Sequence, residues 1–248
     1  MLILPINKCL KLHNFELFSF NSTTSTMDEA KIKINFLNKN LIISAYEQTK
    51  GRGRRGNNWI SPPGNIYCSI GMLNIRSSDL YILAMLTSVA IKHSLEHIGL
   101  QDIFFKWPND IYCHSKKISG IIQESYLNKL EKRILIIGAG INFLSSPKNS
   151  TYKTTYINEY VKNISREQYI EIFINYFLNY LNEFSLNHDN NFINEYKKLQ
   201  MFLNTNIKIK LDEKKILQGQ YIGINDDGSL KLMKDNKELS IYSGQILL

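Results

Sequence analysis

The apolar pattern of this chain changes period near Asn206, and that change limits the fold more than any other feature. Downstream, Ile207-Lys-Ile-Lys-Leu211 alternates with period two, Asp227-Gly228 is a turn signal, and Leu230-Lys-Leu232 alternates again. Strand patterns at 238–242 and 245–248 flank a Ser243-Gly244 turn. Five short strands in roughly forty residues predict a small β-barrel. Upstream the pattern is mixed. Residues 28–37 read as a helix, opened by the hydroxyl cluster Ser22-Thr-Thr-Ser-Thr26, which can supply an N-cap. Strands are expected at 41–46, 65–73, 103–105 and 118–124, and a helix at 79–98 with Asp79 as its cap. Ile134-Leu-Ile-Ile137 is a buried-strand pattern that runs into a Gly138-Ala-Gly140 bend. A helix at 165–184 opens with Ser165 and Gln168 at capping-box spacing, and a shorter helix covers 192–202. The chain therefore reads as α+β: a mixed-sheet domain over 1–202 and a small all-β domain over 203–248.

Composition narrows the function. The 44% hydrophobic fraction excludes a disordered chain. Thirty Lys plus Arg against 22 Asp plus Glu give a net charge of +8. That excess admits a nucleic acid, a membrane surface, an acidic protein or phosphate chemistry as partner. Most of it is scattered lysine: 24 of the basic residues are Lys and only 6 are Arg. Three of those six, Arg52, Arg54 and Arg55, fall within four positions. Cys9, Cys68 and Cys113 form no CxxC pair and suit neither a disulfide framework nor a zinc site, which favours the cytoplasm. The apolar run at 81–91 is too short to span a membrane.

Four segments carry candidate chemistry. In Gln48-Thr-Lys-Gly-Arg-Gly-Arg-Arg-Gly-Asn-Asn-Trp59, glycines let backbone approach a ligand, arginines offer donor forks to carboxylate or phosphate, and Trp59 offers a stacking face. An RGG-like RNA-binding loop fits the same residues equally well. No Walker A loop occurs in the chain. In Lys106-Trp-Pro-Asn-Asp110, Pro108 extends Trp107 and Asn-Asp favours a turn. Lys117, at the start of a strand and three residues before Gly120, can direct an ammonium at developing negative charge. Read alone, Lys116 and Lys117 fit two solvated lysines on a hairpin better. Gly138-Ala-Gly-Ile-Asn142 and the hydroxyl cluster at 22–26 are weaker signals for a nearby polar ligand.

Taken in order and spacing, GRGRRGxxW, KWPND, KxxG and GxGIN resemble the biotin–protein ligases, from about residue 15 to the end. The resemblance implies a mixed-sheet catalytic domain of the biotin/lipoate ligase type with an SH3-like C-terminal barrel. It implies a reaction in two steps: biotin and ATP give biotinyl-5′-AMP, and biotin then passes to a lysine of a biotin carboxyl carrier protein. By the same resemblance, Ser25, Thr26, Met27, Gln48, Gly51, Arg52, Lys117 and Gly120 bind biotin. Arg54, Arg55, Trp59, Asn109 and Asn142 bind the adenylate, and Asp110 is linked to Mg²⁺. Lys117, Arg52 and Arg54 are the expected catalytic cations. Met27 stands where the family often has Asn, and it cannot donate an amide hydrogen bond. Only about two dozen residues precede the first motif, so an enzyme without a DNA-binding domain is expected, as a monomer or homodimer. A lipoate or octanoate ligase or transferase of the related fold is the alternative enzyme. A basic RNA-binding protein is the alternative of another class.

Overall fold

A computed structural model describes residues 3–148, 152–187 and 191–247. In chain order, α1 (Ile6–Leu12) leads into β1 (Phe15–Thr23), α2 (Thr26–Leu37), β2 (Asn40–Gln48) and β3 (Ile66–Leu73). The long α3 (Leu80–His97) precedes β4 (Ile103–Lys106), β5 (Asp110–Cys113), β6 (Lys116–Leu127) and β7 (Arg133–Ile141). Helices α4 (Ile157–Tyr160), α5 (Arg166–Asn187) and α6 (Asn191–Lys198) follow. The strands β8 (Asn206–Lys210), β9 (Ile216–Ile224), β10 (Leu230–Lys234), β11 (Lys237–Ile241) and β12 (Gln245–Leu247) complete the described chain.

The first seven strands form one mixed sheet in the order β1-β2-β3-β7-β6-β5-β4. Only β1 and β2 run parallel, because α2 carries the chain back between them. Strand alternation divides the apolar residues between two faces. Ile42, Leu135 and Ile137 join the large core beneath α3 and α5. Their neighbours Leu41, Ile43, Ile134 and Ile136 pack with Met27, Ala30 and Ile34 of α2 on the other face.

The second sheet is antiparallel, in the order β11-β10-β9-β8-β12. Laid flat, its two edges would stand about 19 Å apart, four strand spacings. Residues 242–244 alone join β11 to β12, a connection that reaches at most about 14 Å. The sheet must therefore curl toward a barrel. Its Ile207, Tyr221 and Leu232 belong to the same continuous core as Trp107 and Phe105 of the larger sheet. Trp107 Nε1 donates to Gly228 O at 3.0 Å across that junction.

One local expectation holds and others change. The capping box at Ser165 is complete: its N–H donates to Gln168 Oε1 at 2.8 Å, and the Gln168 N–H donates to Ser165 Oγ at 3.1 Å. Asp79 occupies the N-cap position of α3 without capping it; its carboxylate accepts from Arg76 Nε and Ser78 Oγ instead. Ser25 precedes α2, also without a side-chain cap. Gly138-Ala-Gly140 is not a bend but part of β7. The glycines are there for close approach: a Cβ at Gly138 would lie 2.8 Å from Met27 Sδ, and one at Gly140 would lie 2.5 Å from Trp59 Cε2. Leu248, the end of the last expected strand, lies outside the described residues.

Candidate functional site

The connection from β2 to β3 crosses the face of β6 and β7 and roofs a cleft. The cleft floor is a platform of glycine. Gly120 and Gly140 are direct cross-strand partners, and Gly138 lies two residues along the same face. The Trp59 indole lies on this platform: a Cβ at Gly120 would approach its Cζ3 to 3.0 Å. Its Nε1 is buried without a hydrogen-bond partner. The expected stacking residue is thus in the cleft, resting on glycine.

One end of the cleft is neutral and polar. The Thr26 N–H and Oγ1 both donate to Gln48 Oε1, at 2.8 and 3.0 Å. With the Thr26 hydroxyl proton so used, Ser69 Oγ donates to Thr26 Oγ1 across 2.7 Å. Gln48 Nε2 donates to Ser61 Oγ at 3.1 Å, which fixes the orientation of the amide. Ser25, Thr26, Met27 and Gln48 all line this end. Gly51 does not line the cleft. It is packed where a Cβ would meet Ser61 Oγ at 2.3 Å and Trp59 O at 2.4 Å.

The other end is cationic. Strand alternation separates the two adjacent lysines of β6. Lys116 stays outside, paired with Glu159 at 3.1 Å, whereas Lys117 turns inward and is only 7% exposed. Lys117 Nζ pairs with Asp110 Oδ1 at 2.7 Å and stands 5.2 Å from the Trp59 ring and 5.0 Å from the Tyr152 ring. The solvated-lysine reading therefore fails for Lys117. Lys106 is equally buried and lines the same cleft. Burial pushes its ammonium pKa down, Asp110 opposes the shift and Lys117 adds to it. Asp110 supplies the carboxylate at this end of the cleft. Its Oδ1 is engaged by Lys117, and among the described residues no three His, Cys, Asp or Glu side chains are grouped to hold an ion.

The arginines are each held by protein acceptors. Arg52 spans the rim, with Nη2 at 2.9 Å from Asp28 Oδ1 and Nη1 at 2.9 Å from Glu124 Oε1. Arg54 Nη1 donates to Gly244 O at 3.2 Å and to Asn109 Oδ1 at 3.5 Å; burial lowers its pKa and Arg55 adds to that. Arg55 Nη2 donates to Leu211 O at 2.9 Å. Asn109 Nδ2 in turn donates to Ile121 O at 2.8 Å, fixing the Lys106–Asp110 turn against β6. Asn142 is not a lining residue. It is 2% exposed, just beyond β7, and its Nδ2 donates to Thr155 O at 3.0 Å. Sequence reasoning did not single out Lys106, Tyr152 or Gly244 for the site. Lys106 sat inside a quoted motif; the other two reach the cleft from distant segments that carry no local signal.

Residues 17–142 match the Biotin/lipoate A/B protein ligase family. The chain belongs to that family. Among curated members, it is 29% identical over 213 residues to the Bifunctional ligase/repressor BirA of Escherichia coli, covering 83% of this chain and 65% of that protein. It is 32% identical over 131 residues to the Biotin--[acetyl-CoA-carboxylase] ligase of Paracoccus denitrificans, covering 50% of this chain and 53% of that one. A solved family member, the biotin protein ligase from Aquifex aeolicus in complex with biotin and ATP, superposes with a TM-score of 0.78 at 25% identity. That match covers 94% of this chain and 97% of the other. The family fold, a mixed α+β domain followed by a small antiparallel sheet, is thus shared along nearly the whole chain. No helix among the described residues is long and apolar enough to cross a membrane.

Proposed function

We propose that this chain is a biotin–protein ligase that makes biotinyl-5′-AMP from biotin and ATP and passes biotin to a lysine of a biotin carboxyl carrier protein. One observation carries the reading: the glycine platform joins a neutral polar pocket to the buried, ion-paired Lys117. A ureido ring needs fixed donors and acceptors, which Thr26, Gln48 and Ser25 supply. A carboxylate meeting a phosphate needs cations in a site shielded from water, which Lys117 and Lys106 supply. The family relationship and the biotin and ATP of the Aquifex structure point the same way.

In the first step a biotin carboxylate oxygen attacks the α-phosphorus. A C(O)–O–P bond forms, and the P–O bond to pyrophosphate breaks. Lys117 opposes the charge that gathers at this junction, moving off Asp110 toward the phosphoryl oxygens. In the second step the acceptor amine attacks the acyl carbon, an amide forms, AMP leaves and the amine loses a proton. Trp59 leaves the platform as the ligand enters; its partnerless Nε1 gives up no hydrogen bond in doing so. Arg52 and Arg54 then hold the loop over the anhydride and keep water from it. Mg²⁺ arrives on the ATP phosphates as part of the substrate. The catalytic part spans 1–202, with 203–248 as the small SH3-like part.

ATP–pyrophosphate exchange tests this reading. Exchange is expected with biotin and not with lipoate. A folded sample that shows no biotin-stimulated exchange overturns the proposal, and stimulation by lipoate alone assigns the chain to the other branch of its family.

A further inference from the structure

The loop that crosses the cleft is bonded mainly to itself. The Gly53 N–H donates to Asn57 O at 2.7 Å, that of Asn57 to Arg54 O at 3.1 Å, and that of Trp59 to Gly51 O at 3.0 Å. None of these bonds ties the loop to the rest of the protein. Backbone bonds anchor the loop at its base, where the Thr49 and Lys50 N–H groups donate to Thr23 O and Thr24 O at 2.9 and 2.8 Å; farther along, the arginine side chains do that, and two of them reach the same element. Arg54 and Arg55 donate to Gly244 O and Leu211 O, which lie 190 and 156 residues away in the connections between strands of the C-terminal sheet. We infer that this sheet is the catch on which the arginine loop closes, and that Arg55 is the positioning residue that engages it.

The two carbonyls are held in place by the small sheet itself. Leu211 immediately follows β8, and its N–H donates to Lys215 O at 2.9 Å, closing the turn into β9. Gly244 precedes β12 and lies so close to β8 that a Cβ would meet Ile209 Cγ2 at 2.6 Å. Arg55 itself adopts φ +55°, an uncommon conformation for a residue with a side chain. Its guanidinium reaches a neutral carbonyl of the folded chain, so the contact needs no ligand. This gives Arg55 a different task from the adenylate contact expected of it. The small sheet then governs how long the loop stays shut, and, resting on the ligase reading, how long the adenylate is retained.

Amide hydrogen exchange on the ligand-free full chain tests the catch. Arg55→Asn is the variant, because Asn tolerates positive φ but is too short to reach Leu211 O. The amides of Gly53, Asn57 and Trp59 are expected to exchange about fivefold faster, the effect of losing one ordinary hydrogen bond. Amides of β7 are expected to be unchanged, which controls for folding. Unaltered exchange in the loop overturns the catch. The second measurement is escape of biotinyl-adenylate, expected to rise by the same factor with the KM for biotin unchanged. A raised biotin KM with unaltered loop exchange would place Arg55 on the ligand instead and also overturn it. If the parent shows no biotin-dependent pyrophosphate exchange, the ligase reading fails, while the hydrogen-exchange measurement still decides the catch.

Discussion

Splitting the Lys117–Asp110 pair tests how the cationic end of the cleft is built. The charged atoms are 2.7 Å apart, on side chains only 9% and 20% exposed. At an effective dielectric of about 20, unit charges at that separation attract by about 6 kcal/mol. Two neighbours reduce what the pair can show. Asp110 also faces the charges of Lys106 and Arg54, so it keeps cationic company when Lys117 is removed. The Lys117 ammonium likewise keeps the faces of Trp59 and Tyr152 when Asp110 is removed. The expected coupling is therefore about 2–4 kcal/mol. Urea unfolding of the parent, Lys117→Met, Asp110→Asn and the double variant forms the cycle. Each single substitution leaves a poorly compensated buried charge and is expected to destabilise by about 2–4 kcal/mol. The double variant removes both charges and is expected to be no less stable than the worse single. Each kcal/mol lost corresponds to about 2–4 °C in Tm at this chain length. Strict additivity of the two singles would refute the argument, since it would mean the charges do not sense one another.

Three further outcomes follow from the same geometry. Gly140→Ala raises a methyl group from the platform into the space that the ligand takes over from Trp59, whose Cε2 lies 2.5 Å from that position, so calorimetry should show biotin binding weakened at least about tenfold, with a stability loss of no more than about 3 kcal/mol; unchanged affinity would remove the platform from the site. Burial alone would push the Glu195 carboxyl pKa up, but hydrogen bonds and charge from His93 and Lys92 outweigh it and bring it from 4.5 to about 2. A depressed folded value gives stability that is present above pH 4.5 and lost as pH falls toward 2, at most about 3 kcal/mol. Glu195→Gln should flatten that acid limb in urea midpoints measured across pH, and an undiminished slope would contradict the assignment. Burial pushes the Cys68 thiol up to about 12, so labelling by a thiol reagent should occur only at the rate of unfolding; faster labelling of the native protein would refute it.

The fold was legible wherever one local pattern decided one element. The capping box at Ser165 set the start of α5, and the alternation after Asn206 announced the second sheet. β1 was missed because it is an edge strand whose residues alternate poorly between buried and exposed. α1 was missed as a short helix without a side-chain cap. The Gly-Ala-Gly bend was a reasonable reading of isolated glycines, but glycine also marks places where something must come close. Only the facing strand shows which applies: Gly140 is paired with Gly120, and an indole lies on both.

The candidate site divides along the same line. Motifs quoted from the sequence supplied Thr26, Gln48, Lys117 and Asp110, and the structure brings all four to one cleft. What each does there depends on partners the motif does not contain. Lys117 could be told from its solvated neighbour Lys116 only once strand register fixed which of the two turned inward. The arginines show the limit most clearly. Their clustering marked the loop, and guanidinium chemistry suggested carboxylate or phosphate. Yet two of the three are met by backbone carbonyls in the connections between strands of the C-terminal sheet, and a carbonyl is an acceptor that every residue carries. No residue type at Leu211 or Gly244 could have announced it. The +8 charge is thus a poor guide to function here, because its most informative members spend their donors inside the protein and act through the loop that they hold in place.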